Sequence, residues 1–403
     1  VSWVVSSASA LQQAAPKPEL TEEPHPAVPA TARQAPLCLP FHPEEAVMSP
    51  AATFPKTLNP AESPMSGGAA GSHPIELQPG GKRYAAAPGQ TLLDAGLAAG
   101  LCLPYQCRTG DCGTCKARVL AGEVEHLPAS YPLEKAGDCL LCRCQARGPV
   151  TLACDEVPGV AGLPLRKLAV RVTTIERPAA DVAILHLQPP AGQPLEYLAG
   201  QYVDVLLRDG RRRSYSLATA PGKAEQLELH IRHLPGGAFT DHVFGRLKAR
   251  EMLRLEGPFG TFYLRDSEAP MILLASGTGF APIKALVEQA RRAGLRRKAV
   301  LYWGARRRED LYHHALAQQW ARELPWFRYV PVLSDANADW SGRRGLVHRA
   351  VLEDFADLSG YEVYACGAPQ MVDAARRDFA AEAGLAAERF YADAFVTAAP
   401  AAA

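Results

Sequence analysis

Cys107-Arg-Thr-Gly-Asp-Cys-Gly-Thr-Cys115, followed after 26 intervening residues by Cys142, is the stretch on which the reading of this chain turns. The spacing C-x4-C-x2-C with a distant fourth cysteine is that of a plant-type [2Fe–2S] site. Two irons need four thiolates from a tight loop, and Gly110 and Gly113 permit turns that aim backbone N–H groups at sulfur. Seven of the ten cysteines fall between Cys102 and Cys144, which points to metal chemistry in one segment rather than to disulfides. A competing arrangement draws on the same residues. Cys112-x2-Cys115 and Cys139-x2-Cys142 are two CxxC pairs separated by 23 residues, as in a zinc ribbon, which would make the segment a zinc-binding interaction module. Cys107 at its offset and the glycine pattern favour the cluster. Cys139, Cys142 and Cys144 crowd the fourth position; Cys142 stands at the interval before the 151–154 run that suits a strand return, so it is preferred to Cys144. Cys102, Cys139, Cys144 and Cys154 are expected as buried small apolar residues.

Outward from this loop the pattern is that of a small α+β domain. Apolar alternation at 74–77 and 82–85 flanks Pro79-Gly80-Gly81, a hairpin signal. Residues 91–100 suggest a short helix ending at Gly100, and 151–154 supply a closing strand. The domain is placed at 73–157, with a linker at 158–164. Residues 1–72 differ from the rest: they hold 12 of the 34 prolines, no glycine before Gly67, and no sustained apolar periodicity. They are expected to be disordered or an over-extended reading frame with Met65 as the true start.

Between 165 and 268 the grammar is period-two alternation: LAVRV (168–172), VAILHL (182–187), YVDVLL (202–207) and LELHIR (227–232). Strands without helices between them predict an antiparallel barrel. Arg213-Ser-Tyr-Ser216 ends a strand there. The arginine fork suits a pyrophosphate, the Tyr215 ring on the same face can stack on a flavin, and Ser216 presents a hydroxyl to its edge. Gly236-Gly-Ala-Phe-Thr240 precedes a helix placed at Asp241 onward, and a glycine turn opening a helix is a ready anion site. Gly257-Pro-Phe-Gly-Thr-Phe262 is read as closing the barrel. His230, His233 and His242 are taken as structural, because hydride transfer between stacked rings needs no acid or base.

From 269 to 397 continuous apolar runs at 271–275, 299–303, 327–333 and 361–365 alternate with amphipathic segments such as 281–293 and 369–383. This alternation predicts a doubly wound parallel sheet. LLASGTGFAPI (273–283) is a strand, a glycine turn and a helix start. Gly277 and Gly279 would let a pyrophosphate approach the backbone, and Pro282 suits the first helical turn. Cys366 ends the last central strand, at the edge where such sheets bind ligands. Asp335, after Ser334, would accept ribose hydroxyls and repel a 2′-phosphate, while Arg306, Arg307 and Arg308 pull the other way. NADH is expected over NADPH.

A formal net charge of +1 argues against a general nucleic-acid surface. No apolar stretch approaches the roughly 20 residues of a membrane helix, and the opening VSWVVSSASA makes a poor secretory signal. A cytoplasmic protein without membrane insertion is expected. With these residues in hand, 73–397 resembles the ferredoxin–NAD(P)H oxidoreductase superfamily, specifically reductases with an N-terminal plant-type ferredoxin domain. Within it the chain is similar to CDP-6-deoxy-Δ3,4-glucoseen reductases. The likeness rests on RRSYS (212–216), GGAFT (236–240) with HVFG (242–245), SGTGFAPIK (276–284), LYWGAR (301–306) and YACGAP (364–369). It implies a β-grasp ferredoxin domain, an FAD-binding β-barrel and an NAD-binding α/β domain. It further implies a cluster on Cys107, Cys112, Cys115 and Cys142, and FAD on Arg213, Tyr215 and Ser216 with Gly236, Gly237, Phe239 and Thr240 at its pyrophosphate. NADH would lie against Gly277, Thr278, Gly279 and Pro282, near Gly304, Ser334, Asp335, Cys366 and Gly367. Cys366, Tyr215 and Ser216 would stand at the reacting rings, with Phe395 bordering the flavin. Electrons would pass from NADH to FAD, to the cluster, and to a partner protein, either a deoxysugar dehydratase or an aromatic-ring or alkane oxygenase.

Overall fold

The computed structural model describes residues 71–160, 163–222 and 226–396, all within one compact unit. The expected N-terminal extension lies outside the described residues except for positions 71 and 72. Three sheets follow one another along the chain. The first is built from β1 (His73–Gln78), β2 (Arg83–Ala86), α1 (Leu92–Ala98), β3 (Lys116–Ala121), β4 (Val124–His126), β5 (Asp138–Leu140), β6 (Cys144–Ala146) and β7 (Val150–Ala153). Its order is β2-β1-β7-β3-β5, with β4 and β6 as a separate ribbon. β1 pairs antiparallel with β2 and parallel with β7, which makes a β-grasp. The helix starts where the sequence says it should: Thr91 caps it by accepting from the Asp94 N–H at 3.1 Å and donating to the Asp94 carboxylate at 2.8 Å. Leu92 and Leu93 are fully buried against the sheet.

The second sheet comprises β8 (Arg166–Ala179), β9 (Val182–Gln188), β10 (Tyr202–Leu206), β11 (Arg212–Ser216), β12 (Leu227–Arg232), α2 (Ala238–Gly245) and β13 (Met252–Phe259). The order β11-β10-β13-β8-β9-β12 closes on itself through a bridge between Leu217 and Leu229. Closure removes the sheet edges, as the helix-free pattern predicts. α2 opens at Ala238, one turn earlier than the sequence placed it, because Gly237 is its N-cap.

The third holds β14 (Met271–Ser276), α3 (Phe280–Arg292), β15 (Ala299–Ala305), α4 (His314–Glu323), β16 (Phe327–Leu333), β17 (Arg343–Arg344), α5 (Val347–Asp354), β18 (Glu362–Gly367), α6 (Pro369–Ala383) and β19 (Phe390–Ala394). The order β17-β16-β15-β14-β18-β19 is parallel throughout. The chain order reverses between β14 and β18, so the binding crevice of this sheet opens above their carboxyl ends. β19 was not expected from the sequence. Its register sets Asp393 beside Cys366, and Cys366 beside Ala275.

The modules share cores. Tyr202 and Phe259 of the barrel pack into the ferredoxin core, and the Tyr202 hydroxyl donates to the Gln106 carbonyl at 2.7 Å. Among the described residues no helix is long and apolar enough to cross a membrane.

Candidate functional site

The cluster loop runs from α1 to β3 and is tied down at several points. Arg108 pairs with Asp94 at 2.6 Å, and the Tyr131 N–H donates to the Gly110 carbonyl at 3.0 Å. Gly113 has φ +70°, and a Cβ there would stand 2.3 Å from the Tyr131 ring. Only glycine fits. The four candidate thiols meet two and two. Cys115 and Cys142 lie with their Sγ atoms 3.3 Å apart, while Cys107 and Cys112 share a hydrogen bond that lowers the Cys107 thiol and raises that of Cys112. Two thiols per iron is what a di-iron centre requires, and the thiolate is the ligating form. Cys144 turns away, sharing a hydrogen bond with Cys139 and approaching His126 Nδ1 at 3.5 Å. Cys112, Cys115, Cys139 and Cys142 do not gather into one tetrad among the described residues, as a zinc ribbon would need. The donor set fits a [2Fe–2S] cluster.

On β11 the alternation expected of a strand separates two jobs. Arg212 and Ser214 face Asp204, at 3.4 Å and 2.7 Å. Arg213 and Tyr215 occupy the other face, where Tyr215 packs on Phe239 with ring centroids 5.5 Å apart. Arg213 donates its Nη1 to the Arg212 carbonyl at 2.8 Å, and the rest of its fork is available to a diphosphate. The 236–240 turn satisfies itself in part: the Gly236 N–H donates to Asp241 at 3.1 Å, and the Thr240 hydroxyl donates to the Leu234 carbonyl at 2.8 Å. Phe239 and Thr240 are buried. The first-turn N–H groups of α2 have no intrahelical acceptor. These groups fit FAD.

Across the crevice, Gly277, Thr278 and Gly279 form a single 3-10 turn between β14 and α3. A Cβ on Gly279 would lie 2.2 Å from the Cys366 carbonyl oxygen, so this turn and β18 touch backbone to backbone. The Trp303 indole donates to the Gly277 carbonyl at 3.0 Å, Gly304 is buried at the end of β15, and Pro282 is buried in α3. Cys366 is fully buried, and burial pushes its thiol up, so it stays protonated. Gly367 accepts from the Phe395 N–H at 2.8 Å. Ser334 and Asp335 are exposed beyond β16. Asp335 accepts from Arg307 at 3.1 Å, so the acid and one of its three opposing arginines neutralise each other. The turn and the sheet edge fit a nicotinamide dinucleotide.

Two groups of residues escaped the sequence reading. The first is Asp393. Its carboxylate accepts from the Ser216 hydroxyl at 2.7 Å and from the Gln106 amide at 2.8 Å. One side chain of the α/β sheet thereby joins the flavin strand to the residue preceding Cys107. Burial raises its pKa to about 6 despite both donors. The signal was an acid inside the apolar terminal run FYADAF. The second is Glu228, Lys284, Tyr312 and His313, gathered around His230, which the sequence marked as structural, between β12, α3 and the β15–α4 connection. Glu228 accepts from Lys284 at 3.2 Å and contacts His230 at 2.6 Å, and His230 meets the Tyr312 hydroxyl at 2.8 Å. Glu228, His230 and His313 could geometrically embrace a cation, but Lys284 already supplies the positive charge.

Fold and site together define an iron–sulfur flavoprotein oxidoreductase with separate cluster, flavin and nicotinamide modules. Family models agree: the 2Fe-2S iron-sulfur cluster binding domain matches 75–147, the oxidoreductase FAD-binding domain 169–263, and the oxidoreductase NAD-binding domain 273–377. The chain is 39% identical over 325 residues to the CDP-6-deoxy-L-threo-D-glycero-4-hexulose-3-dehydrase reductase of Yersinia pseudotuberculosis, covering 80% of this chain and 98% of that one. It is 34% identical to terephthalate 1,2-dioxygenase reductase component 1 of Comamonas, covering 81% and 98%. The crystal structure of the Amycolatopsis cytochrome P450 reductase GcoB matches at TM-score 0.68 and 35% identity, over 81% of this chain and 99% of that one. The chain belongs to the ferredoxin–NAD(P)H oxidoreductase family of reductases with an N-terminal [2Fe–2S] domain. It carries electrons from NAD(H) through FAD and the cluster to a partner protein.

Proposed function

We propose that this protein is the cytoplasmic, NADH-oxidising reductase of a deoxysugar dehydratase system. In this reading Cys107, Cys112, Cys115 and Cys142 hold the cluster. Arg213, Tyr215, Ser216 and the 236–240 turn hold FAD, with Phe395 at its border. Gly277 to Pro282, Gly304, Ser334, Asp335, Cys366 and Gly367 receive NADH. The observation that carries the route is the double hydrogen bond of Asp393, which ties the flavin strand to the cluster loop. Bound FAD supplies a carrier that accepts a hydride's two electrons and releases them singly, as a one-electron cluster requires. The chain's own part is orientation. Tyr215 and Ser216 fix the flavin edge, and Cys366, its thiol protonated, meets the Gly277–Gly279 turn through its backbone carbonyl without offering a charge. The nine described cysteines are all free thiols, in keeping with a reducing compartment.

The dehydratase assignment rests on the 39% identity to the Yersinia reductase across nearly its whole length. The second reading, a reductase component of an oxygenase, is favoured by the likeness to the Amycolatopsis P450 reductase. Anaerobic NADH addition is expected to bleach flavin absorbance before cluster absorbance. Cys112→Ser should abolish reduction of an acceptor protein and leave flavin reduction intact; normal acceptor reduction by that variant sinks the route. Stopped-flow reduction of a purified hexulose dehydratase against an oxygenase component separates the two partners.

A further inference from the structure

The three modules meet around a cleft of about 220 Å³, an order of magnitude more than one buried water needs. Pro104 and Thr114 line it from the cluster loop, Thr261 and Arg265 from the chain leaving the barrel, and Arg376 and Tyr391 from the α/β module. None of these residues belongs to the sets proposed above for cluster, flavin or nicotinamide. No carboxylate lines the cleft. It does hold two guanidinium groups, each fixed on aromatic faces. Arg265 stands 3.7 Å from the Tyr263 ring centroid and 4.6 Å from that of Tyr391, and Arg376 stands 5.1 Å from that of Phe390. Arg265 spends Nη2 on the Thr261 carbonyl at 3.0 Å. Its Nη1 and the Nε of Arg376 are buried without any hydrogen-bond partner.

A buried cationic donor without a partner is costly, and proteins pair such groups or hold a ligand against them. Two guanidinium groups lining one void, each with a buried donor left unpaired, match the oxygens of a phosphate or carboxylate. The cleft falls below the size of pockets for drug-sized ligands, so its occupant is small. We propose that this junction is an oxyanion-binding site, taking inorganic phosphate or a short carboxylate between Arg265 and Arg376 and thereby clamping the cluster loop to both other modules.

The test is isothermal titration of the holoprotein, with FAD, cluster and saturating NAD+ in place so that the nucleotide phosphate sites are filled. Inorganic phosphate is titrated in one arm and succinate in the other, each against potassium chloride at matched ionic strength. One-site heat with either anion is expected, and the arm that gives it identifies the source. Arg376→Gln should weaken that affinity by about ten- to a hundredfold, the loss that accompanies removal of charge-assisted hydrogen bonds. Arg265→Gln should do the same, so the question survives if one variant fails to fold. No heat beyond the chloride control in either arm, or unchanged affinity in both folded variants, overturns the site. The readout is anion binding, so it stands apart from whether electrons reach one partner or another.

Discussion

At the scale of single residues, two acids give the proposed nucleotide choice and module coupling their tests. Asp335 is exposed and bonded to Arg307; in the proposed NADH site its carboxylate would restrain a guanidinium otherwise free to meet a 2′-phosphate. Asp335→Asn should raise the ratio of kcat/KM for NADPH over NADH by about tenfold, the worth of one charge-assisted hydrogen bond. An unchanged ratio in steady-state assays would remove Asp335 from nucleotide selection. Asp393 is buried and receives two donors from other modules. Replacing it with alanine leaves the Gln106 amide and the Ser216 hydroxyl without acceptors, a loss of about 2 kcal/mol. Local opening around 104–110 should then be roughly 30-fold more frequent. Hydrogen-exchange mass spectrometry at pH 7.5, where the Asp393 carboxyl is ionised, reads this directly, with β15 and β16 as the internal control; equal exchange in the two proteins would deny Asp393 its bridging role.

Elements carry the next constraint, because the cluster loop is set by backbone geometry more than by its thiols. At Gly113 a methyl group would meet the Tyr131 ring at 2.3 Å with φ at +70°. Gly113→Ala should therefore shed iron and sulfide about tenfold faster, as expected for an L-residue forced into the left-handed region at roughly 1–2 kcal/mol. Adding Tyr131→Ala relieves the collision and not the dihedral, so rescue should be partial; full rescue would show the ring alone to be responsible. This loop was legible in the sequence, since the cysteine spacing and its glycines are local. So were the first hairpin, α1 and most core strands, whose periods of 2 and 3.6 need no tertiary information. β19 was not legible, because Asp393 interrupts its short apolar run and its partner strand is held by a parallel crossover. The Gln106–Asp393 bond spans 287 positions, a distance at which no local pattern carries a signal. The choice of Cys142 over Cys144 rested on an interval. In the fold it is the brief 3-10 turn at Leu141–Arg143 that turns one thiol to Cys115 while the next enters β6 beside Cys139.

Across the whole molecule, the barrel and the α/β module are joined by a buried ionic network whose protonation opposes folding. His313 is lowered to about 4 and His230 is also lowered, both chiefly by burial. Glu228 lies at about 2, held down by His230 and Lys284 against the effect of burial. A histidine that stays neutral when folded binds fewer protons than its unfolded form between about pH 4 and 6.5. Its contribution to stability is therefore complete above 6.5 and falls as pH drops through that window. For His313 the full loss is on the order of 3 kcal/mol. Glu228 adds a second loss at lower pH, between its unfolded value of 4.5 and about 2. Asp393 works in the opposite sense, since a carboxyl raised to about 6 stabilises the fold below its unfolded value of 3.8 and loses that contribution as pH rises through 6. A single melting curve would blend the two, so the discriminating quantity is the difference between wild type and His313→Gln. In calorimetry of the holoprotein from pH 7.5 to 4, wild type should lose ground to the variant steadily below pH 6.5, and Asp393→Asn should shift the comparison with opposite slope. If wild type and His313→Gln fall in parallel across that range, the β12–α3 network does not govern how the two modules stay joined in acid.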